Sequence, residues 1–304
     1  MFLPALFLLG ILSSCAEGNN ANADQELAGV QIKASSFNIR FDNLDDGYTS
    51  WSNRRLKVVQ FLGIESPDIM GLQEVLKNQL DYINKRLSDY DYVGVGRDDG
   101  IAAGEFTPIF YRRDRFKLLD SGTFWLSETP DHPSKGWDAQ LNRICTYAFV
   151  KDKQTGKAIH FYNTHFSHVG HLARKNSAKL IMNYIDSLSK DVQVILTGDL
   201  NAEPDSETYK EIIDNGMKDS YKSDLVFGPV GTYNGFDIFD RHDRRIDYIF
   251  SRGFDSKKYY TSNVLVNNNF LSDHFPVITV LEYSALNHLK NSHIRSKISP
   301  IHTN

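Results

Sequence analysis

The chain has 304 residues, of which 41% are hydrophobic and 24% charged, enough to bury a large core as one domain or two. A formal net charge of −4 argues against a protein that coats nucleic acid by bulk electrostatics. An enzyme that touches only a few phosphates is still allowed, because a bound cation can supply the missing positive charge.

Phe2 to Leu12 is apolar apart from Pro4 and Gly10, and Leu12-Ser13-Ser14-Cys15 follows directly. The run is shorter than the roughly 20 residues a transmembrane helix needs. It resembles a bacterial lipoprotein signal, in which small residues precede a cysteine that is lipidated after cleavage. The expected organisation is a signal over 1–15, a flexible tether over 16–29, one domain over 30–283 and a poorly ordered tail over 284–304. The resemblance implies an exported protein held on the periplasmic or cell-surface side of a membrane by lipid on Cys15. Cys145 is then the remaining cysteine, and stability must come from the core rather than a disulfide.

Along the domain, Val30 to Arg40 reads as a strand. Asn53 to Ile64 reads as a helix with Leu56, Val59 and Leu62 on one side, ended by Ser66-Pro67. Asp68 to Glu74 is a second buried strand with two polar residues at its end, and Lys77 to Leu87 has helical spacing. Strands follow at Tyr90 to Val95, Thr107 to Tyr111, Phe116 to Phe124, Thr146 to Asp152 and Ala158 to Thr164, the last two joined by a turn at Lys153 to Lys157. Leu172 to Leu188 carries an apolar stripe that predicts a helix packed on a sheet. A strand from Asp191 to Leu196, a helix near Glu207 to Asn215, and strands at Arg245 to Phe250, Tyr259 to Val266 and Pro276 to Glu282 complete the series. Irregular alternation of strands and helices predicts two mixed sheets packed together with helices outside.

The strand before Asp199 ends in Thr197-Gly198-Asp199-Leu200-Asn201-Ala202-Glu203-Pro204. Side chains two apart on an extended chain share a face, so Asp199 and Asn201 present a carboxylate and an amide together. A carboxylate there can take a proton from water, and an amide can donate and accept. An Asx turn closing the strand explains the same residues. Other apolar runs also end or break in polar groups: Asn38, Gln73-Glu74, Asn163-Thr164-His165, Asp247 and Ser272-Asp273-His274.

That set, in this order, resembles the endonuclease/exonuclease/phosphatase superfamily, which contains DNase I-like nucleases, abasic-site endonucleases, inositol polyphosphate phosphatases, neutral sphingomyelinases and deadenylases. The resemblance spans about Val30 to Tyr283. It implies a four-layered α/β sandwich and metal-dependent hydrolysis of a phosphate ester at one mouth of the packed sheets. It implies that Glu74 is the principal ligand of Mg²⁺, or of Mn²⁺, with Asn38 beside it and Asp273 contributing; hard oxygen donors suit both ions. Asp199 becomes the base that orients water, and Asn201 holds that water or a phosphate oxygen. His274 faces the phosphoryl oxygens with Asp247 holding its ring, and His165 takes a second histidine position paired with Glu105. Arg143 stands where members place a phosphate- or substrate-facing basic residue, and Asn38 is assigned to the substrate phosphate as well; a surface arginine at a strand edge is the plain alternative for Arg143.

His165, His168 and His171 form a His-x-x-His-x-x-His run with no fourth zinc ligand nearby, and are read as a substrate loop. Trp125 and Trp137 are read as core. The expected activity is that of a phosphodiesterase or nuclease outside the cytoplasm, acting on nucleic acid, a phospholipid head group or a small phosphodiester. The inositol phosphatase branch is disfavoured, because Ala202-Glu203-Pro204 and Arg245-Ile246-Asp247 stand where its own motifs would be. The alternatives are a phosphomonoesterase, a sphingomyelinase-like lipid phosphodiesterase, and a lipid-anchored binding module that keeps the fold without catalysis. No protein partner is implied.

Overall fold

The computed structural model describes residues 29–188 and 192–284, and Val30–Ser284 forms one compact unit. The expected signal with Cys15, the tether up to Ala28 and the tail beyond Ser284 lie outside the described residues. Among the described residues no helix is long and apolar enough to cross a membrane.

The described strands build two mixed sheets. One contains β1 (Gln31–Asn38), β2 (Ile69–Gln73), β3 (Tyr90–Val93), β4 (Ile109–Arg112), β10 (Val226–Phe227), β12 (Phe254–Thr261) and β15 (Val277–Tyr283), in the order β10-β12-β15-β1-β2-β4-β3. The other contains β5 (Phe116–Trp125), β6 (Ile144–Asp152), β7 (Ala158–His165), β8 (Gln193–Asp199), β9 (Lys218–Asp219) and β11 (Asp247–Arg252), in the order β5-β6-β7-β8-β11-β9. A two-residue pair, β13 (Leu265–Val266) with β14 (Asn269–Phe270), stands apart.

Strand alternation sorts the core into layers. Ile32, Ala34, Ile69 and Val277 of the first sheet meet Phe161, Ile195 and Ile249 of the second between the sheets. Helix α1 (Trp51–Glu65) and helix α2 (Lys77–Asn84) cover the outer face of the first sheet through Val58, Leu62, Leu80 and Ile83, against Phe37, Met70, Leu72 and Phe110. Helix α3 (His171–Asp186) and helix α4 (Glu207–Asp214) cover the second through Ala178, Ile181, Ile185 and Ile212, against Val194, Leu196 and Phe250. The result is the four-layered sandwich of the sequence reading.

Two expectations change. Leu56 is 54% exposed; at 100° per residue the buried stripe of α1 runs through Trp51, Val58 and Leu62, which puts Leu56 on the far side. Arg54 is buried instead, donating to the carbonyls of Ile39 at 2.9 Å and Leu271 at 2.7 Å. The strand expected over Tyr259 to Val266 is β12, which starts at Phe254 and stops at Thr261. Asp255 to Lys258 hide its start because they break the apolar alternation, yet they pair with β15 across a bulge at Ser256/Lys258.

The layer between the sheets changes character along its length. Side chains that face the other sheet run Ile32, Ala34, Ser36, Asn38 on β1; Ile69, Gly71, Gln73 on β2; Phe161, Asn163, His165 on β7; and Ile195, Thr197, Asp199 on β8. Aliphatic at one end, it becomes polar toward the other. The intermediate step is a buried hydrogen-bonded floor. Gln73 Nε2 donates to Asn163 Oδ1 at 2.7 Å and to Ser36 Oγ at 3.1 Å, and Thr197 Oγ1 donates to Asn163 Oδ1 at 3.0 Å. Gly71 makes room for it, since a Cβ there would overlap the Thr197 hydroxyl and the Asn163 amide.

Candidate active site

Strand direction gathers the polar ends. In the parallel pairs β1/β2 and β7/β8 the C-termini lie side by side, with Asn38 opposite Gln73 and His165 opposite Asp199. Strand β11 runs antiparallel to β8, so its first residue, Asp247, pairs with the last residue of β8, Asp199. Asp247 therefore opens a strand rather than interrupting one. Strand β15 is antiparallel to β1, which brings the segment ahead of it, Ser272 to Phe275, to the same mouth. Three non-glycine residues just past strand ends take left-handed backbone: Arg40, Glu74 and Asn201, with φ of 58, 59 and 48°. Such conformations cost on the order of 1–3 kcal/mol each and persist only where surrounding bonds impose them.

Those bonds are present. Asn38 Nδ2 donates to Glu74 Oε1 and to Asp199 Oδ2, both at 3.0 Å, and Asn38 Oδ1 accepts from the Arg40 amide at 3.0 Å. Glu74 Oε2 accepts from the Phe41 amide at 3.1 Å. Asp199 Oδ1 accepts from the Asn201 amide at 2.9 Å. Asp247 Oδ2 lies 2.9 Å from His274 Nδ1, and His274 Nε2 lies 3.8 Å from Asp199 Oδ2. Thr232 Oγ1 receives the Asp247 amide at 3.0 Å, while Asp247 Oδ1 is buried without a partner.

Burial and the nearby Asp247 charge push the Asp199 carboxyl up to about 7, against the relief given by His274 and two hydrogen bonds. Burial opposes a charge on His274, but Asp247 and Asp199 outweigh it and hold the ring well above its ordinary value. Asp199 is thus poised as a base near neutral pH, beside an imidazolium.

The other wall carries His165, Glu105, Arg97 and Arg143. His165 Nε2 lies 3.2 Å from Asn201 Nδ2 and 3.5 Å from Asp199 Oδ2. Burial, with the charges of Arg143 and Arg97, holds this imidazole well below its ordinary value, so it is neutral and accepts from Asn201. Asn201 Nδ2 also lies 3.1 Å from the Phe166 carbonyl, so the amide nitrogen is committed to the protein. Glu105 is 3.7 Å from His165 Nδ1, too far for a hydrogen bond, and instead accepts from Arg97 Nη1 at 2.6 Å. Burial raises the Glu105 carboxyl in spite of Arg97. Arg143 is 5% exposed, with Nη2 3.1 Å from His168 Nδ1 and with Nε and Nη1 buried unpartnered. It is not a surface arginine. Asp273 is buried, with Oδ2 3.7 Å from Arg40 Nη1.

These walls enclose a cleft of about 390 Å³, lined by Glu74, Glu105, Arg143, His165, Asp199, Asn201, Asp273 and His274 among others. Asn38 and Asp247 lie buried behind it. His165 and His168 line the cleft while His171 starts α3, so the histidine run converges on no common point. Among the described residues, the ligand atoms of Asp199, Asp247 and His274 lie within 4.8 Å of one another. That trio is already explained as a hydrogen-bonded base and imidazolium. A divalent cation fits better at Glu74, where two carboxylate oxygens and the buried Asp273 offer hard oxygen donors at the mouth and Asn38 braces Glu74 through its amide nitrogen.

Several contributors had no signal in the sequence. Arg54 ties the segments that carry Asn38 and Asp273, as described. Tyr248, an apparent core aromatic, has its hydroxyl 2.8 Å from the carbonyls of both Ala202 and Arg245, joining the loops after Asp199 and before Asp247. Trp125 is buried and donates to the Arg97 carbonyl at 2.7 Å; Trp137 is partly buried.

The chain belongs to the Endonuclease/Exonuclease/phosphatase family, whose pattern matches residues 35–274. It is a phosphate-ester hydrolase of a superfamily that generally uses a divalent metal. An endonuclease/exonuclease/phosphatase from Bacteroides vulgatus is 41% identical and superposes with a TM-score of 0.81, covering 84% of this chain and 100% of that one. A mannosyl-6-phosphatase from Bacteroides thetaiotaomicron is 39% identical, with a TM-score of 0.78 over 83% of this chain and 100% of that one. Human tyrosyl-DNA phosphodiesterase 2 is 27% identical over 179 residues, 58% of this chain and 44% of that protein.

Proposed function

We propose that this protein hydrolyses phosphate monoesters of small hydroxylated molecules, with sugar phosphates as the substrate class. The observation that carries this reading is the buried Arg143, whose guanidinium lines the same cleft as Glu74, Asp199 and His274. A largely desolvated guanidinium at the wall of the cleft suits the dianionic head of a monoester. A cleft of about 390 Å³ is scaled to a small ligand rather than to an extended strand. The weakly acidic chain offers no bulk attraction to nucleic acid. The likeness to a mannosyl-6-phosphatase along that protein's full length supports the same class. The diester expected from sequence stays as the second reading, supported by the likeness to a tyrosyl-DNA phosphodiesterase 2.

In this mechanism Asp199 takes a proton from water as its oxygen attacks phosphorus, the phosphorus–oxygen bond to the alcohol breaks, and the departing alcohol oxygen takes a proton from solvent. Asn201 Oδ1, without a protein partner among the described residues, accepts from the same water and orients it. His274, held through Nδ1 by Asp247, donates from Nε2 to a phosphoryl oxygen, and Arg143 donates to another. Mg²⁺ or Mn²⁺ held by Glu74 and Asp273, with Asn38 bracing Glu74, would supply further neutralisation of the phosphate. A binding module without catalysis is disfavoured, because the base, imidazolium and acidic ligands all stand in one cleft.

The test is phosphate release with Mg²⁺, with and without chelator, from hexose 6-phosphates, p-nitrophenyl phosphate, bis-p-nitrophenyl phosphate, plasmid DNA, RNA and sphingomyelin. Higher kcat/KM on the monoesters is expected. Preference for any diester overturns the reading. Export on a Cys15 lipid is part of the proposal, and fatty-acid labelling that survives Cys15→Ser would refute it.

A further inference from the structure

The chemistry above leaves one member of the histidine run at the cleft unassigned. His168 stands exposed on the loop between β7 and α3, at the wall of the cleft. Its Nδ1 is 3.1 Å from Arg143 Nη2. A guanidinium keeps its protons in a protein, so Arg143 is the donor and His168 Nδ1 the acceptor. An imidazole that accepts at Nδ1 is neutral and carries its proton on Nε2. Among the described residues no protein group is bonded to that Nε2. The tautomer is thereby set by the fold, and one N–H donor is left for something in the cleft.

Its surroundings define what that can be. Arg143, a charged guanidinium lining the cleft, is the stronger site for an anion on this wall. A neutral N–H beside it suits an uncharged acceptor. Leu141 lines the same cleft and is 42% exposed, giving an apolar surface next to the donor. An apolar surface and a neutral donor flanking a phosphate-binding arginine match a polyol, whose carbon skeleton is apolar and whose hydroxyl oxygens accept.

We propose that His168 is a specificity-determining residue whose Nε2–H donates to a hydroxyl oxygen of the leaving alcohol, selecting hydroxylated esters over those with a bare aromatic leaving group. The inference rests on the placing of the phosphate at Arg143 in the proposed function. Loss of one neutral hydrogen bond sets the expected size of the effect at roughly five- to tenfold.

The experiment measures kcat/KM for a hexose 6-phosphate and for p-nitrophenyl phosphate in wild type, His168→Ala and His168→Asn. The ratio of the two should fall about five- to tenfold in His168→Ala, mainly through KM for the sugar phosphate. His168→Asn, which keeps an acceptor for Arg143 and a donor of shorter reach, should lie between. An equal loss on both substrates in His168→Ala, restored on both by His168→Asn, would mean that His168 only seats Arg143 and overturns the proposal. An unchanged ratio overturns it as well. Should wild type prove to prefer diesters, the monoester reading fails by itself. The same ratio, taken between a dinucleotide and bis-p-nitrophenyl phosphate, then decides the role of His168.

Discussion

Two aspartates at opposite ends of the inter-sheet layer are almost equally hidden, Asp152 at 0% and Asp199 at 1% exposure. Burial acts to raise both carboxyls, yet Asp152 ends below the ordinary carboxylate value and Asp199 near 7. Partners make the difference. Asp152 accepts from Arg115 Nε at 2.8 Å and Nη2 at 3.1 Å, from the Gln154 amide at 2.9 Å, and from the Thr155 and Tyr283 hydroxyls, both at 2.9 Å. Asp199 has Asn38, the Asn201 amide and a second carboxylate, Asp247, paired directly across the strands. At the closed end a buried charge is fully matched and serves the fold. At the mouth charges are set against one another, and the mismatch produces a base.

The largest effect should come from removing that mismatch. Asp199→Asn is expected to lower kcat by roughly 10²–10⁴-fold, the usual worth of a positioned general base. Stability should move the other way. A carboxyl raised in the folded state holds a proton that the unfolded chain has released between about pH 4 and 7, so folding free energy declines as pH rises through that window. Denaturant melts of chelated protein at pH 5 and pH 8 should show Asp199→Asn free of this decline and more stable at pH 8 by about 1–4 kcal/mol. A less stable variant at pH 8 would break the contrast.

Asp152→Asn is the opposite case. Stranding Arg115 should cost about 3–5 kcal/mol while leaving kcat near wild type, read by the same melts and by phosphate release. Its contribution in wild type is present above the unfolded carboxyl value and is lost as pH falls through the lower folded value, so the variant should narrow its deficit in acid.

Arg143→Ala tests the facing wall. Loss of charged hydrogen bonds to phosphate predicts a kcat/KM roughly 10- to 150-fold lower for monoesters. An unchanged kcat/KM would return Arg143 to a structural role. The smallest effect is at the floor between the two ends. Gly71→Ala should cost about 1–3 kcal/mol by overpacking against Thr197 and Asn163, visible as a lower Tm. A Tm equal to wild type would mean that the polar floor is not tightly packed.

Much of the layout was legible before folding. The alternation of apolar strands and striped helices announced two sheets with helices outside, and the polar residues closing those strands pointed to the cluster that the sheets assemble. Lone residues were not legible. Leu56 looks buried and Arg54 exposed until the phase of the whole α1 stripe is known. Lys257 and Lys258 disguise the first half of β12. The resemblance pointed to Glu105, but nothing pointed to Arg97, eight residues earlier in a loop, and it is Arg97 that takes the carboxylate.

By itself the sequence determined what depends on local chemistry and period: which segments extend, which coil, which strand ends are polar, and which family the chain joins. Tertiary structure alone decided what depends on contact between distant segments. Parallel pairing of β7 with β8 and antiparallel pairing of β8 with β11 set His165, Asp199 and Asp247 in one row, where burial and the Asp247 charge raise Asp199 while burial and the charges of Arg143 and Arg97 lower His165. Proton affinity belongs to a neighbourhood, because charge and solvent exclusion act through space rather than along the chain.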